Sequence, residues 1–226
     1  MAAPKAEPVS IALKAGKVSG LIVAPKDARA CYVMAHGAGA GMAHPFMASV
    51  ASGFAERGIA TLRYQFPYME AGGKRPDAPP VAHAAVRAAV DAARKRFPKL
   101  PLFAGGKSFG GRMTSQAQAK APLENVNGLI FFGFPLHAAG KPSQERAAHL
   151  SDVTIPMLFL QGTRDALAEL GQLQPVCRAL SRATLKLFDD ADHSFHVPAR
   201  TGRKDTEVMA QMLDTTAEWI NLSPSP

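Results

Sequence analysis

The sequence predicts a single-domain α/β protein built on one mostly parallel β-sheet with helices on both faces. Short apolar segments alternate with helical patterns along the chain, which is typical of such sheets. The chain has 226 residues, 47% hydrophobic and 19% charged, so it can bury one sizeable core. We expect the domain to span residues 8–222, with residues 1–7 and 223–226 as flexible tails.

The first elements indicate an antiparallel edge that precedes the parallel part of the sheet. Strands are predicted over 9–14 and 18–23, and the Gly16-Lys17 turn between them is too short to join a parallel pair. The apolar run CYVMAHG, from Cys31, then predicts a strand that is buried on both faces. A helix follows, with apolar residues at Phe46, Val50 and Phe54, and stops at Gly58.

The rest of the chain repeats this alternation to give eight strands and about six helices. Strands are predicted over 59–64, 100–106, 126–134, 155–162 and 183–188, most of them bounded by Gly or Pro. Helical stripes are predicted in the segments that contain Val86 to Phe97, Phe109 to Lys120, and Val208 to Trp219.

Charge, cysteine content and hydropathy limit the class of protein. The net charge is +8 and the pI about 9.7, but the basic residues are scattered, with the densest groups at 94–99 and 200–204. We interpret them as a solvated surface and expect no nucleic-acid partner. The two cysteines, Cys31 and Cys177, are predicted core residues and are compatible with a reducing compartment. Without an apolar leader or a membrane span, we expect a cytoplasmic protein, and no cofactor or metal site is predicted.

The stretch AGGKSFGGR, residues 104–112, allows two interpretations. A phosphate-binding P-loop would need a glycine five positions before Gly106, where the chain has Pro101. The alternative is GxSxG, a sharp strand-to-helix turn that presents a serine nucleophile, here Ser108. Its position between a predicted strand and a predicted helix favours this second interpretation over an ordinary glycine-rich turn.

A serine nucleophile needs a base and an orienting acid, and both follow later strands. Asp165 comes directly after the 155–162 strand, and His193 lies in the loop after the 183–188 strand. Asp192 adjoins His193 and cannot readily face its ring, so Asp165 is the preferred acid. His196 lies in the same loop and is interpreted as a surface or structural residue.

An oxyanion hole needs two backbone N–H groups close to the serine. Phe109, directly after the serine, supplies one. The loop HGAGAG, residues 36–41, supplies the second, with Ala38 as first choice and Gly39 as second choice. We expect a structural role for His36.

With HGAGAG, GGKSFGGR, GTRD and DADHSF in this order, the sequence resembles the α/β-hydrolase superfamily, and within it the small dienelactone-hydrolase-like branch. The resemblance implies an α/β-hydrolase fold with strand order 1-2-4-3-5-6-7-8, strand 2 antiparallel, and a Ser108, His193, Asp165 triad. Dienelactone hydrolases themselves carry a cysteine nucleophile. Ser108 departs from that pattern, which weakens the case for dienelactone as substrate.

These observations predict a hydrolase of small soluble esters or thioesters that acts through an acyl-enzyme. About twenty residues separate Phe134 from Ile155, where lids usually enter this fold, so no large lid is expected. Lys107 is interpreted as a surface residue, with attraction of an anionic substrate as the alternative. Two other functions stay open, a non-catalytic interaction module and a serine peptidase or acyltransferase, as does the oligomeric state. Candidate substrate-pocket residues are Met42, Tyr68, Met69, Phe134 and His137.

Overall fold

A computed structural model describes residues 4–223 of the protein and shows one eight-stranded sheet. The strands are β1 (Glu7–Ala12), β2 (Lys17–Val23), β3 (Ala30–Ala35), β4 (Ile59–Tyr64), β5 (Leu102–Lys107), β6 (Val126–Phe132), β7 (Met157–Gly162) and β8 (Ala183–Phe188). Their spatial order is β1-β2-β4-β3-β5-β6-β7-β8. Only β2 runs antiparallel to its neighbours, β1 and β4, which confirms the expected α/β-hydrolase topology.

Six α-helices cover the sheet. They are α1 (Pro45–Glu56), α2 (Pro67–Glu70), α3 (Pro79–Arg96), α4 (Phe109–Lys120), α5 (Leu170–Ala179) and α6 (Asp205–Leu222). Helices α1 and α6 enclose one apolar core, and α3, α4 and α5 enclose the larger core on the opposite face. Each interior strand therefore faces an apolar layer on both sides, which explains the unbroken apolar runs of β3, β6 and β7.

The predicted elements differ from the structure mainly at their ends. Strand β1 begins at Glu7, inside the predicted N-terminal tail, because six of its residues pair with β2. The short helix α2 lies in a segment where the sequence pattern predicts neither a strand nor a helix. Of the predicted tails, residues 1–3 and 224–226 lie outside the described residues.

The connection between β6 and β7 is short, as expected from the spacing of the strands. Residues 133–156 contain a 3₁₀ segment, Glu145–Asp152, that packs against α4. The chain therefore has no large lid at the position where one would enter. None of the helices within residues 4–223 has the length and apolar character needed to cross a lipid bilayer.

The central strands bring distant segments to one edge of the sheet. Ala35 at the end of β3 lies beside Gly106 of β5, and Gly106 lies beside Phe131 of β6. In an open parallel sheet, ligands bind beyond the carboxyl ends of the strands. The loops after β3, β5, β7 and β8 meet at this edge.

Candidate active site

Ser108 occupies a sharp turn between β5 and α4. Its backbone has φ 50° and ψ −115°, a region that a residue with a side chain adopts at a cost of about 1–3 kcal/mol. The surrounding glycines allow this turn. A Cβ on Gly106 would lie 2.1 Å from the Ala35 carbonyl oxygen, and one on Gly110 would lie 2.6 Å from the same atom. The GxSxG spacing thus matches a real steric need for small residues.

Three predicted side chains form one chain of hydrogen bonds. The Nε2 atom of His193 lies 2.9 Å from the Oγ atom of Ser108, and Nδ1 lies 2.7 Å from Oδ2 of Asp165. Because a carboxylate only accepts, the ring proton belongs on Nδ1, which leaves Nε2 free to accept the serine proton. The structure brings these three residues together, although His193 is 85 positions from Ser108 and 28 positions from Asp165 along the chain.

Asp165 is held rigidly behind the histidine. The residue is only 2% exposed and follows β7. Its Oδ1 accepts the Leu167 N–H at 2.8 Å, and its Oδ2 also accepts a hydrogen from the Gln161 amide. The carboxylate therefore has donors on both oxygens, and its orientation toward His193 is fixed before any ligand arrives.

The other acidic and imidazole side chains of the loop have separate partners. Oδ1 of Asp192 accepts the N–H groups of Ser194 and His196, so this carboxylate braces the loop and does not contact the His193 ring. The His196 side chain is 63% exposed and lies 2.9 Å from Asp205, which raises the pKa of His196. The geometry agrees with a structural role for His196.

Lys107 lies inside the site, which differs from the surface position favoured by the sequence. Its Nζ donates to the His193 carbonyl oxygen at 2.5 Å and lies 5.5 Å from the ring centre of Phe195. Burial lowers the pKa of Lys107 to about 8, while Asp165 and Asp192 oppose that shift. The ammonium group of Lys107 therefore binds the main chain of the loop that carries His193.

The two backbone amides predicted for the oxyanion hole belong to residues that line one cavity together with Ser108. Phe109 is the first residue of α4, where an amide has no partner within its own helix. For Ala38, no acceptor is found within residues 4–223. The Gly39 N–H, the second choice, instead donates to the Tyr68 hydroxyl at 2.9 Å.

His36 shapes the loop that carries these amides. Its ring is fully buried, accepts the Phe66 N–H at Nε2 and donates from Nδ1 to the Gly37 carbonyl oxygen. Burial lowers the pKa of His36, which favours the neutral form that this pair of hydrogen bonds requires.

Ser108 borders two cavities. The first, of about 420 Å³, contains His193 and is lined by apolar side chains that include Phe46, Met47 and Leu167. The second, of about 390 Å³, is lined by Phe109 and Arg112 and does not include His193, while Ala38 borders both cavities. Both volumes suit small organic ligands.

The predicted substrate-pocket residues do not line these two cavities. Phe134 is fully buried against Phe131 and Phe159, and His137 is buried with Nδ1 bonded to the Ala138 carbonyl oxygen. The other three, Met42, Tyr68 and Met69, lie around the Gly39 to Gly41 turn. The Tyr68 hydroxyl accepts the Gly39 N–H, and Gln65 accepts the Met42 N–H.

The residues that do line the cavities come from helices and loops that sequence patterns could not orient. The sequence pattern assigns Phe46 to an apolar helix stripe. In the structure its ring stacks on Phe195 and lines the cavity that contains His193. Arg112, in the second cavity, is four residues after Ser108. A spacing of four residues at the start of a helix predicts that two side chains lie near each other, so the sequence could have indicated Arg112.

Among residues 4–223, no group of three or more His, Cys, Asp or Glu side chains is arranged to hold a metal ion.

Comparison with known proteins identifies the family. Residues 28–221 match the family model described as an alpha/beta hydrolase domain. The chain belongs to the α/β-hydrolase family. The matched range contains all three members of the hydrogen-bond chain and both candidate oxyanion-hole residues.

Solved structures of other α/β hydrolases share the whole fold. A dienelactone hydrolase from Anabaena variabilis superposes with a TM-score of 0.79 at 21% identity, over 97% of this chain and 98% of that chain. A serine hydrolase homologue from Coxiella burnetii gives 0.76 at 20% identity, over 92% and 96%. An α/β serine hydrolase without a lid, from Xanthomonas campestris, gives 0.75 at 21% identity, over 97% of both chains.

Proposed function

We propose that this α/β-hydrolase-family protein is a serine hydrolase that cleaves small carboxylic esters or thioesters through an acyl-enzyme on Ser108. One observation carries the proposal: the hydrogen-bond chain from Asp165 through His193 to the Oγ atom of Ser108. Family membership and the overall fold support hydrolase chemistry in general.

The first half of the reaction acylates the serine. Ser108 Oγ attacks the carbonyl carbon while His193 Nε2 takes the hydroxyl proton, and Asp165 stabilises the imidazolium that forms. The carbonyl oxygen becomes an oxyanion between the N–H groups of Ala38 and Phe109. When the tetrahedral intermediate collapses, His193 returns the proton to the leaving oxygen or sulfur.

The second half releases the acid. Water enters, His193 removes one of its protons, and the resulting nucleophile attacks the acyl carbon. The second tetrahedral intermediate expels Ser108 Oγ, which recovers the proton from His193. The products are a carboxylic acid and an alcohol or thiol, with no change of oxidation state.

We assign the two halves of the substrate to the two cavities. Because His193 must protonate the leaving atom, the leaving group belongs in the cavity that contains His193. The acyl chain then extends into the other cavity, beside Phe109 and Ala38. Volumes of about 420 and 390 Å³ favour small substrates over long lipids.

Labelling with a fluorophosphonate probe tests the proposal against a non-catalytic interaction module. We expect one adduct on Ser108 in the wild type, none in Ser108→Ala, and strongly reduced labelling in His193→Ala. Hydrolysis of 4-nitrophenyl acetate should disappear in the same two variants. Wild-type protein that neither reacts nor hydrolyses would reject the serine hydrolase.

A further inference from the structure

The second cavity beside Ser108 is unusual in carrying two arginine side chains without anionic partners. Arg112 is four residues after the serine, and its side chain lines this cavity. Its backbone N–H donates to the Ser108 carbonyl oxygen at 3.1 Å. Arg146 reaches the same cavity from the 3₁₀ segment Glu145–Asp152. Neither forms a salt bridge with any of residues 4–223.

Arg112 also has an unmet hydrogen-bond donor. Its Nε atom is buried and has no acceptor within the part of the chain that the structure describes. A buried donor of this kind costs free energy unless a partner is supplied. The other residues of the cavity wall are largely apolar, with Met113, Pro135 and Leu167 among them, and the Asp77 carboxylate, which also lines the cavity, forms no hydrogen bond with Arg112.

The charged side chains that line this cavity are Arg112, Arg146 and Asp77, so two arginines face one carboxylate. Burial and the nearby Arg146 lower the pKa of Arg112. Burial and then Arg112 lower the pKa of His149, which packs on the same helix, to about 4. Asp77 also lines the cavity, but its Oδ2 accepts the Tyr68 N–H instead of an arginine hydrogen.

We propose that Arg112 and Arg146 form an anion subsite that binds a carboxylate at the far end of the substrate's acyl chain. The substrate class is then the monoesters or monothioesters of dicarboxylic acids. This inference rests on the proposed function, which places the acyl chain in the cavity that lacks His193. Arginine suits this task because its planar fork binds carboxylates through paired hydrogen bonds.

The geometry sets the approximate length of the acyl chain. Ser108 directly precedes α4 and Arg112 lies in its first turn, four residues later, and four residues of helix rise about 6 Å. A carboxylate that meets the guanidinium must therefore lie several bonds from the reacting carbonyl. Acyl chains of about five to seven carbons meet this requirement within a cavity of about 390 Å³.

A matched pair of substrates tests the subsite. The mono-4-nitrophenyl ester of adipic acid carries the charge, and its methyl-capped analogue is neutral and of similar length. We expect the wild type to prefer the charged ester in kcat/KM. In Arg112→Gln and in Arg146→Gln, the charged-to-neutral ratio should fall at least about tenfold, the loss typical of a charge-assisted hydrogen bond.

Arg178→Gln is the matched control, because Arg178 is exposed on α5 and its hydrogen-bond partner is Gln174. It should leave the ratio unchanged. Circular dichroism and the melting temperature show whether Arg112→Gln folds. If it does not, Arg146→Gln alone tests the subsite, because Arg146 lies in the connection between β6 and β7 and not in the core of the sheet. An unchanged ratio in the folded arginine variants would overturn the subsite.

The experiment distinguishes an incorrect anion subsite from an incorrect proposed function. Hydrolysis of both esters with equal ratios in all variants rejects the anion subsite alone. If neither ester is hydrolysed, calorimetric titration with monomethyl adipate still tests the subsite. Binding to the wild type but at least about tenfold weaker binding to Arg146→Gln supports it, and absent or equal binding rejects it.

Discussion

At the scale of single residues, the site depends on groups whose orientation is fixed by neighbours before substrate arrives. Asp165 has donors on both carboxylate oxygens, and the His193 main chain is held by the Lys107 ammonium group. The proposed mechanism requires this preorganisation, because the imidazole must face the serine in one tautomer.

Removing the charge of Asp165 tests the orienting role. Asp165→Asn should lower kcat on the order of 10⁴-fold, because the amide cannot hold the Nδ1–H tautomer or stabilise the imidazolium. Steady-state hydrolysis of 4-nitrophenyl acetate measures this effect. Asp192→Asn is the control: its oxygen accepts loop amides and not the His193 ring, so kcat should fall much less. Equal losses in the two variants would reassign the acid.

Lys107 should leave a signature in the pH dependence of stability. Its pKa is about 8 in the folded protein, lowered by burial from 10.5. Between these values the unfolded state binds more protons, so this lysine makes the free energy of unfolding rise with pH from 8 to 10.5, by at most roughly 3 kcal/mol.

Lys107→Met removes that contribution. Urea unfolding of the wild type and the variant between pH 7 and 10.5 should show the wild type gaining stability relative to the variant as pH increases. A pH-independent difference between the two proteins would place the lysine in solvent with an ordinary pKa.

At the scale of elements, the turn from β5 to α4 is the most constrained part of the fold. Gly105, Gly106 and Gly110 each lie against the backbone of a neighbouring segment, where a Cβ would come within 2.6 Å of a main-chain atom. The glycines of GxSxG are thus packing requirements, and they let the serine turn approach β3 and the amides after it.

Gly106→Ala should destabilise the protein strongly, on the order of 3–5 kcal/mol, because the added methyl group meets the Ala35 carbonyl and the residue has φ +146°. Urea unfolding measures the change. Gly171→Ala, in α5 with no heavy atom within 4 Å of the added Cβ, is the control and should change stability by about 1 kcal/mol or less. Similar effects of the two substitutions would contradict the steric account.

Element patterns also explain how far the sequence could predict this site. Strand identity, strand order and the positions of Ser108, Asp165 and His193 at strand ends follow from apolar runs, short motifs and the family resemblance. The cavity walls do not, because side-chain direction in the 36–46 and 133–156 segments depends on tertiary packing. Lys107 was misplaced for the same reason: strand alternation breaks down at the strained turn that follows it.

At the scale of the whole molecule, the candidate site residues lie at one edge of the sheet. The connection between β6 and β7, residues 133–156, is short and lies beside that edge. Residues 133–156 pack on α4 as a 3₁₀ segment and leave the cavities beside Ser108 open. No element within residues 4–223 would need to move aside at a lipid surface.

The open site predicts activity on dissolved substrate without activation at an interface. The hydrolysis rate of 4-nitrophenyl butyrate should follow a simple saturation curve through the solubility limit of the ester. A sharp increase in rate where the ester forms a separate phase would show that a covering element opens there.

The central claim is that Ser108 becomes acylated. Mass spectrometry of protein quenched within milliseconds of mixing with 4-nitrophenyl acetate, followed by peptide mapping, tests it most directly. The account predicts an acetyl group on the peptide containing Ser108 in the wild type, and none there in Ser108→Ala. Turnover with no acyl group on Ser108, or with the acyl group on another residue, would contradict it.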